Sequence, residues 1–200
     1  DLAAHWTSVS ANAGLLLPHL SENDWLGRLA GLYWLTLREH SSISYAERVQ
    51  AYISAVKARL KLSNVDYERL RFTLLAQPIL EQAEGKSWSD VQPTLSATHA
   101  NDAWRLFAAR AARGDTTASE PSNQCEPLDL QSTASWLKNR MELSTTELDP
   151  PPLLSGADLI AAGMQPGPQF RELIELARRL QLDGVLVDRP AALRWLEQQK

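Results

Sequence analysis

The stretch that decides the fold spans residues 151–184 and reads PPLLSGADLIAAGMQPGPQFRELIELARRLQLDG. Ser155 stands where the N-cap of a helix is expected, and Gly163 stands where that helix would end. Pro168 suits the first turn of a following helix, which would end near Gly184. The stretch therefore predicts two helices joined by a tight proline–glycine–proline turn.

The rest of the chain carries similar helical signals and few strand signals. Five candidate N-caps precede segments with apolar residues at helical spacing: Ser21, Ser44, Ser63, Ser87 and Thr98. We expect Pro78 to end the third of these helices, Pro93 to bend or end the fourth, and Gly114 to end the fifth. Asp188 is expected to cap the last helix of the chain. These patterns predict an all-α fold.

Composition divides the chain into three parts. Residues 1–113 are predicted to form a helical domain. Residues 114–127 are polar and nearly without large apolar side chains, which predicts a flexible loop or linker. Residues 128–200 are predicted to form a helical tail that contains the Pro-Gly-Pro hairpin, after a stiff spacer at residues 149–152.

Composition also restricts the class of protein. There is no run of about 18 apolar residues, so no membrane span is predicted. Residues 1–6 lack a signal-peptide pattern, and the missing initiator Met suggests a fragment of a longer chain. Cys125 is the single cysteine, which excludes an intrachain disulfide. A net charge of -4 disfavours a strongly basic nucleic-acid binder but allows a local basic face. A cytoplasmic location is expected.

Several blocks of the tail resemble the C-terminal signature of bacterial CCA-adding enzymes and poly(A) polymerases. The blocks are LLSGADLI (153–160), PGP (166–168), LDG (182–184) and AAL (191–193). A weaker similarity lies upstream, where residues 60–71 look like a helix start in the neck and body of that family. The resemblance implies a multi-helix bundle of the poly(A) polymerase C-terminal type, with a smaller C-terminal helical subdomain.

The family's catalytic head carries a Gly-Ser motif and an Asp-x-Asp pair that binds two metal ions. No Asp-x-Asp pair occurs in the 200 residues of this chain. The resemblance thus implies a catalytically silent part of a nucleotidyltransferase, which holds tRNA or another RNA through its backbone. No cofactor is expected in this part, since Mg, ATP and CTP would bind to the missing head.

Two groups of residues are candidates for contact with RNA phosphates. The first lies in the hairpin and comprises Gly167, Arg171, Arg178 and Arg179. The second comprises Lys57, Arg59, Lys61, Arg69 and Arg71. Helix N-termini attract phosphate, and salt-dependent backbone binding needs a local excess of cations. We expect a concave basic face that joins both groups. The alternatives are an ordinary turn for the first group and a solvated helix surface for the second.

Two other functions compete with RNA binding. A non-enzymatic helical interaction module derived from the same fold is favoured by the net acidity and by the acidic residues 114–149. A helical phosphohydrolase would need a His-Asp pair of metal ligands, whereas His40 is followed by Ser41. The four histidines are scattered, so no metal site is expected. Trp88 and Trp136 are minor candidates for base stacking. The oligomeric state stays open.

Overall fold

The computed structural model describes residues 16–37, 43–114 and 130–199. All regular structure in these ranges is helical, without a strand, so the predicted all-α class is confirmed. The helices are α1 (Trp25–Leu37), α2 (Tyr45–Leu60), α3 (Asn64–Leu75), α4 (Gln77–Glu81), α5 (Trp88–Leu95), α6 (Ala100–Arg113), α7 (Leu130–Met141), α8 (Thr145–Leu148), α9 (Gly156–Ala161), α10 (Pro168–Leu182) and α11 (Arg189–Glu197). Short 3-10 helices cover Leu17–His19 and Ala83–Gly85.

Some predictions fall on residues that the structure does not describe. The linker predicted at 114–127 lies outside the described ranges apart from Gly114, and so do His40 and Cys125. Within the described ranges, no helix is both long enough and apolar enough to cross a membrane.

The chain divides into two compact units. One comprises residues 1–84 and 97–140, and the other comprises residues 85–96 and 141–200. This division differs from the predicted boundaries at 113 and 128. The reason is that α5 packs against α10 of the tail, while most of α7 belongs with the N-terminal helices.

Local capping fixes where helices of the first unit begin. Ser44 and Glu47 form the predicted capping box at the start of α2. Ser63 Oγ accepts a hydrogen bond from the Asp66 backbone N–H at 3.0 Å, which caps α3 as predicted. Gly114 ends α6 with a φ of 81°, in the left-handed region that favours glycine.

Two predicted caps are wrong. Residues 21–24 form a turn, so α1 begins after Asp24. The Asp24 Oδ1 atom accepts a hydrogen bond from the Gly27 N–H at 3.0 Å. Ser21 therefore does not cap the helix. Likewise α6 begins after His99 rather than Thr98, and no side chain caps it.

The predicted proline stops are only partly right. The third predicted helix does end at Leu75, but Pro78 lies in the first turn of α4, where a missing N–H costs nothing. Pro93 lies inside α5, which continues to Leu95.

The core of the first unit is formed by apolar faces of α1, α2, α3 and α6 together with residues before α1. Its buried members are Leu16, Leu20, Leu26, Ala30, Trp34, Val49, Ile53, Val56, Leu70, Leu74, Leu106 and Ala109. Their spacing of three or four residues within each helix places them on one face. Burial of this face stabilises the unit through the hydrophobic effect.

A charged residue is also buried in the first unit. Arg110 of α6 has no solvent exposure, and its guanidinium lies 3.6 Å from the centre of the Trp34 ring. Its Nη1 donates to Gln77 Oε1 at 2.9 Å, and its Nη2 forms an ion pair with Glu81. Gln77 in turn donates to the Ala103 carbonyl oxygen at 3.1 Å. These contacts connect α6 with α1 and α4.

The second unit has its own small core. One cluster of its buried apolar residues comes from α9, α10, α11 and the segments beside them: Leu154, Leu159, Ala177, Leu186, Ala192 and Leu196. Val91 and Leu95 of α5 are buried as well. Gly163 and Gly184 follow α9 and α10 with φ values of 83° and 73°. Asp188 caps α11 by accepting from the Ala191 N–H at 2.7 Å, as predicted. The sequence signals for this unit are therefore local and accurate.

Replacing Arg110 with Met is expected to lower the free energy of unfolding by about 3 kcal/mol or more, because the Glu81 carboxylate loses its buried partner. Urea denaturation measures this loss. Arg105→Gln is the control, since Arg105 is exposed on the same helix. It should change the free energy of unfolding by no more than about 0.5 kcal/mol. Equal losses in both variants would contradict the role assigned to Arg110.

Candidate functional site

The proline–glycine–proline turn lies at the surface of the second unit. Residues 165–169 are all exposed, and α10 begins at Pro168 as predicted. Gly167 is extended, with a φ of -173°, and no side chain caps the helix at this residue. A Cβ atom at Gly167 would meet only the Gln165 carbonyl oxygen, at 3.9 Å. The turn thus leaves the positive end of α10 accessible, which suits an anion.

Arg171 lies on the exposed surface of α10. Its Nε donates to Glu175 Oε1 at 2.7 Å, and 85% of its side chain is exposed. The hydrogen bond to Glu175 raises the pKa of Arg171. An exposed pair of this kind contributes little to stability, so the guanidinium is accessible to an anionic ligand.

Arg178 fastens the proline spacer to α10. Its Nη2 donates to Asp149 Oδ1 at 2.5 Å, and its Nη1 donates to the Pro150 carbonyl oxygen at 2.5 Å and to Gln181 Oε1 at 3.1 Å. Gln181 Nε2 donates to the Pro151 carbonyl oxygen at 2.8 Å. Only 21% of the Arg178 side chain is exposed. Arg178 therefore contributes to packing in this structure, and its role in RNA contact stays a prediction.

Two further side chains hold α5 against α10. Arg179 Nη2 donates to Asp90 Oδ1 at 2.9 Å, although 63% of the Arg179 side chain is exposed. Asp183 accepts from the backbone N–H and the hydroxyl of Ser89, each at 2.9 Å, and so caps the start of α5. No local sequence pattern predicts this cap, because Ser89 and Asp183 are 94 residues apart.

In the first unit, Arg69 is held by two carboxylates. Its Nε and Nη2 donate to Asp102 at 2.7 and 2.6 Å, and its Nη2 also donates to Asp24 Oδ1 at 3.1 Å. The hydrogen bond to Asp102 raises the pKa of Arg69, with the charges of Asp102 and Asp24 acting in the same direction. Arg69 thus connects α3 to α6 and to the start of α1. Arg71 forms a looser pair with Glu68, at 3.6 Å.

The remaining three cations, Lys57, Arg59 and Lys61, lie in the last turn of α2 and just after it. Lys57 Nζ donates to Asn64 Oδ1 at 2.7 Å and lies 4.5 Å from the centre of the Tyr67 ring. Arg59 and Lys61 are exposed. Among the described residues, no carboxylate lies within ion-pair distance of either one. The structural alternative for these cations is a favourable interaction with the negative end of α2.

The nine predicted residues thus fall into distinct environments. The hairpin group belongs to the second unit and the Lys57 group to the first. Five of the eight cations pair with carboxylates: Arg69, Arg71, Arg171, Arg178 and Arg179. No group of three or more potential ligand side chains in the described ranges could hold a metal ion. Of the two tryptophans considered for stacking, Trp136 has the Arg140 guanidinium 5.1 Å from its ring.

Replacing Arg178 with Gln should increase hydrogen exchange at the Leu153 amide about fivefold, because Leu153 N–H donates to Gln181 Oε1 at 3.2 Å and Arg178 orients that side chain. Hydrogen exchange with mass spectrometry or NMR measures the rate. Arg171→Gln is the matched control on the same helix and should leave the Leu153 rate unchanged. Unaltered exchange in the Arg178 variant would show that Arg178 is not needed to hold the spacer.

No known protein family, no curated protein and no solved structure matches this chain. The resemblance to nucleotidyltransferases therefore stays an expectation drawn from residues 153–193 and, more weakly, from residues 60–71. What the geometry adds is an exposed helix N-terminus in one unit and, in the other, the exposed cations Arg59 and Lys61 near the end of α2.

Proposed function

We propose that this chain is the RNA-holding C-terminal part of a tRNA nucleotidyltransferase or poly(A) polymerase, with a bundle of the corresponding type. The observation that carries the proposal is the exposed, uncapped start of α10 within the sequence block that resembles this family. The chemistry of transfer would belong to a head that carries its own metal-binding carboxylates. The role of this part is to bind the RNA backbone.

The start of α10 supports phosphate binding for a physical reason. Pro168 has no N–H, and the Phe170 N–H donates to the Gly167 carbonyl oxygen at 3.0 Å. Gly167 has no side chain that could occupy the Gln169 N–H between them. A phosphate oxygen can accept from the Gln169 N–H while it is stabilised by the helix dipole. Arg171, in the second turn, adds a flexible positive charge near the same end of the helix.

The turn between α2 and α3 supports a second phosphate contact. Lys57, Arg59 and Lys61 lie within five residues, and the whole chain has a net charge of -4. An acidic protein that binds RNA needs such a local excess of positive charge. Neither Arg59 nor Lys61 forms an ion pair with a carboxylate of the described residues. Neither therefore has to break such a pair in order to bind phosphate.

The carboxylate partners reduce the set of residues proposed for RNA contact. Arg69 and Arg178 are partly buried and make several hydrogen bonds, so exchanging them for phosphate would disrupt the packing. Arg171 and Arg179 are largely exposed, and their single pairs can exchange for a phosphate at little cost. The proposed contacts are therefore Gly167, Arg171, Arg179, Lys57, Arg59, Lys61 and the half-exposed Arg71.

The same pairs favour a second candidate function, a non-enzymatic helical interaction module. Carboxylates interrupt the positive charge along α10, since Asp90 pairs with Arg179 and Glu175 pairs with Arg171. A surface of alternating charge suits a protein partner as well as an RNA backbone. RNA binding is preferred because the two exposed positive features coincide with segments that resemble the nucleotidyltransferase family.

The first test of the proposal concerns the start of α10. A fluorescent hairpin RNA made of a tRNA acceptor stem and T arm should bind the protein at low salt, measured by fluorescence anisotropy. Gly167→Asp should weaken binding about tenfold, because aspartate would cap the helix and repel phosphate. The same variant should not unfold the protein, since aspartate is a favourable N-cap.

Gly167→Ala is the matched control, because it fills the same position without a cap or a charge. It should bind RNA as the unaltered chain does. Equal affinities of the Asp and Ala variants would remove the start of α10 from the RNA surface.

The second test concerns the turn between α2 and α3. The double variant Arg59→Gln/Lys61→Gln should reduce the slope of log affinity against log salt by about 2, as expected for two lost phosphate contacts. Lys86→Gln/Arg194→Gln removes two exposed charges elsewhere and should leave the slope nearly unchanged. A similar reduction in both double variants would mean that only net charge matters.

The RNA titration also separates the two candidate functions. If the folded chain fails to bind the acceptor–T-arm hairpin even at about 20 mM salt, where screening is weak, the RNA-holding proposal is overturned. The interaction module would then be the better account of the fold.

A further inference from the structure

A cavity of about 410 Å³ lies in the first unit, between residues 19–24 and one face of α6. Its volume falls within the range of small-molecule sites. We propose that this cavity binds a nucleoside phosphate, with the base stacked on Trp104 and the phosphate held by Arg105. The nucleotide could be an unpaired residue of an RNA strand or a free mononucleotide, since both present the same chemistry.

The indole of Trp104 is available as a stacking surface. It is half-buried, and besides this cavity it lines a second one of about 270 Å³ on the side of α7. The Phe107 ring centre is 6.2 Å away and tilted by 35°. The indole therefore borders open space in two places, unlike a tryptophan enclosed in a core. Aromatic side chains of this kind bind single-stranded bases by stacking.

The residues next to Trp104 leave room for a flat ring. Ala108 and Ala112 follow it at intervals of four residues, so the three side chains lie on one face of α6. Both alanines line the two cavities together with Trp104. Their short side chains allow a planar base to approach the helix while it contacts the indole.

The charges around the cavity suit an anionic ligand at its mouth. Arg105 lines the cavity and is exposed, and no carboxylate of the described residues forms an ion pair with it. His19, also exposed, offers a ring N–H as a second donor. A guanidinium is well suited to bidentate binding of phosphate.

Asp24 supplies a carboxylate to the lining of this cavity, and its two oxygens differ in their hydrogen bonds. Oδ1 accepts from the Gly27 N–H at 3.0 Å and from Arg69 at 3.1 Å. No described residue donates a hydrogen bond to Oδ2. This oxygen can therefore accept from an exocyclic amino group, which adenine, cytosine and guanine carry and uracil lacks. A preference for amino-bearing bases follows.

The proposal can be tested with the 19F NMR spectrum of protein labelled with 5-fluorotryptophan, in which Trp104→Phe assigns one of the seven tryptophan resonances. Adenosine 5′-monophosphate and the oligonucleotide A4 should each shift the Trp104 resonance at saturable concentrations. Ribose 5-phosphate should not shift it, because it has no base to stack. Uridine 5′-monophosphate should bind at least about fivefold more weakly than its adenine counterpart.

Two variants localise the binding. Trp104→Leu should weaken the binding of fluorescently labelled A4, measured by anisotropy, about tenfold, while the other six tryptophan resonances keep their positions and report an intact fold. Arg105→Gln, at an exposed position, should weaken adenosine 5′-monophosphate severalfold but leave the binding of adenosine unchanged. If the binding of adenosine 5′-monophosphate and of adenosine weakened to the same extent, the assignment of the phosphate to Arg105 would be overturned.

The RNA form of this proposal rests on the proposed function, whereas the mononucleotide form does not. If the acceptor–T-arm hairpin binds but neither nucleotide ligand shifts the Trp104 resonance, the cavity proposal fails and RNA holding survives. If nucleotides shift that resonance while no RNA binds, the cavity proposal survives as a mononucleotide site and RNA holding fails.

Discussion

Burial of the Arg110 guanidinium constrains the whole first unit. Moving a charged group out of water costs several kcal/mol, and this cost is offset only when every partner is in place. Those partners are Gln77, Glu81 and the face of Trp34, which lie on α4 and α1. Arg110 therefore helps to fix the position and rotation of α6, together with the buried Leu106 and Ala109 and the Arg69–Asp102 pair. With α6 in this rotation, Trp104 borders the cavity rather than the core.

In the second unit, arginine and aspartate side chains also serve packing first. Arg178 binds the proline spacer, and Asp183 caps α5 although it lies far away in sequence. A unit with so small an apolar core benefits from such directional contacts. The LDG block, read as part of a family signature, thus has a local structural use here: its aspartate joins two helices.

The distinction between buried and exposed cations determines what the protein can bind. Cations that make several hydrogen bonds, such as Arg69 and Arg178, are committed to the fold. Cations with one exposed partner, or none among the described residues, can exchange water for phosphate at low cost. Among the candidate residues, this separation leaves the exposed cations at the start of α10 and at the turn between α2 and α3, on which the proposed RNA binding depends.

The sequence alone determined the helical class, the caps at Ser44, Ser63 and Asp188, and the glycine stops, because each depends on contacts within about four residues. It also identified the exposed turn before α10. Only the tertiary structure decided which arginines are held by packing contacts, that α5 is part of the second unit, and that Trp104 borders a cavity. Those facts depend on partners 28 to 94 residues away, and no local pattern records such distances.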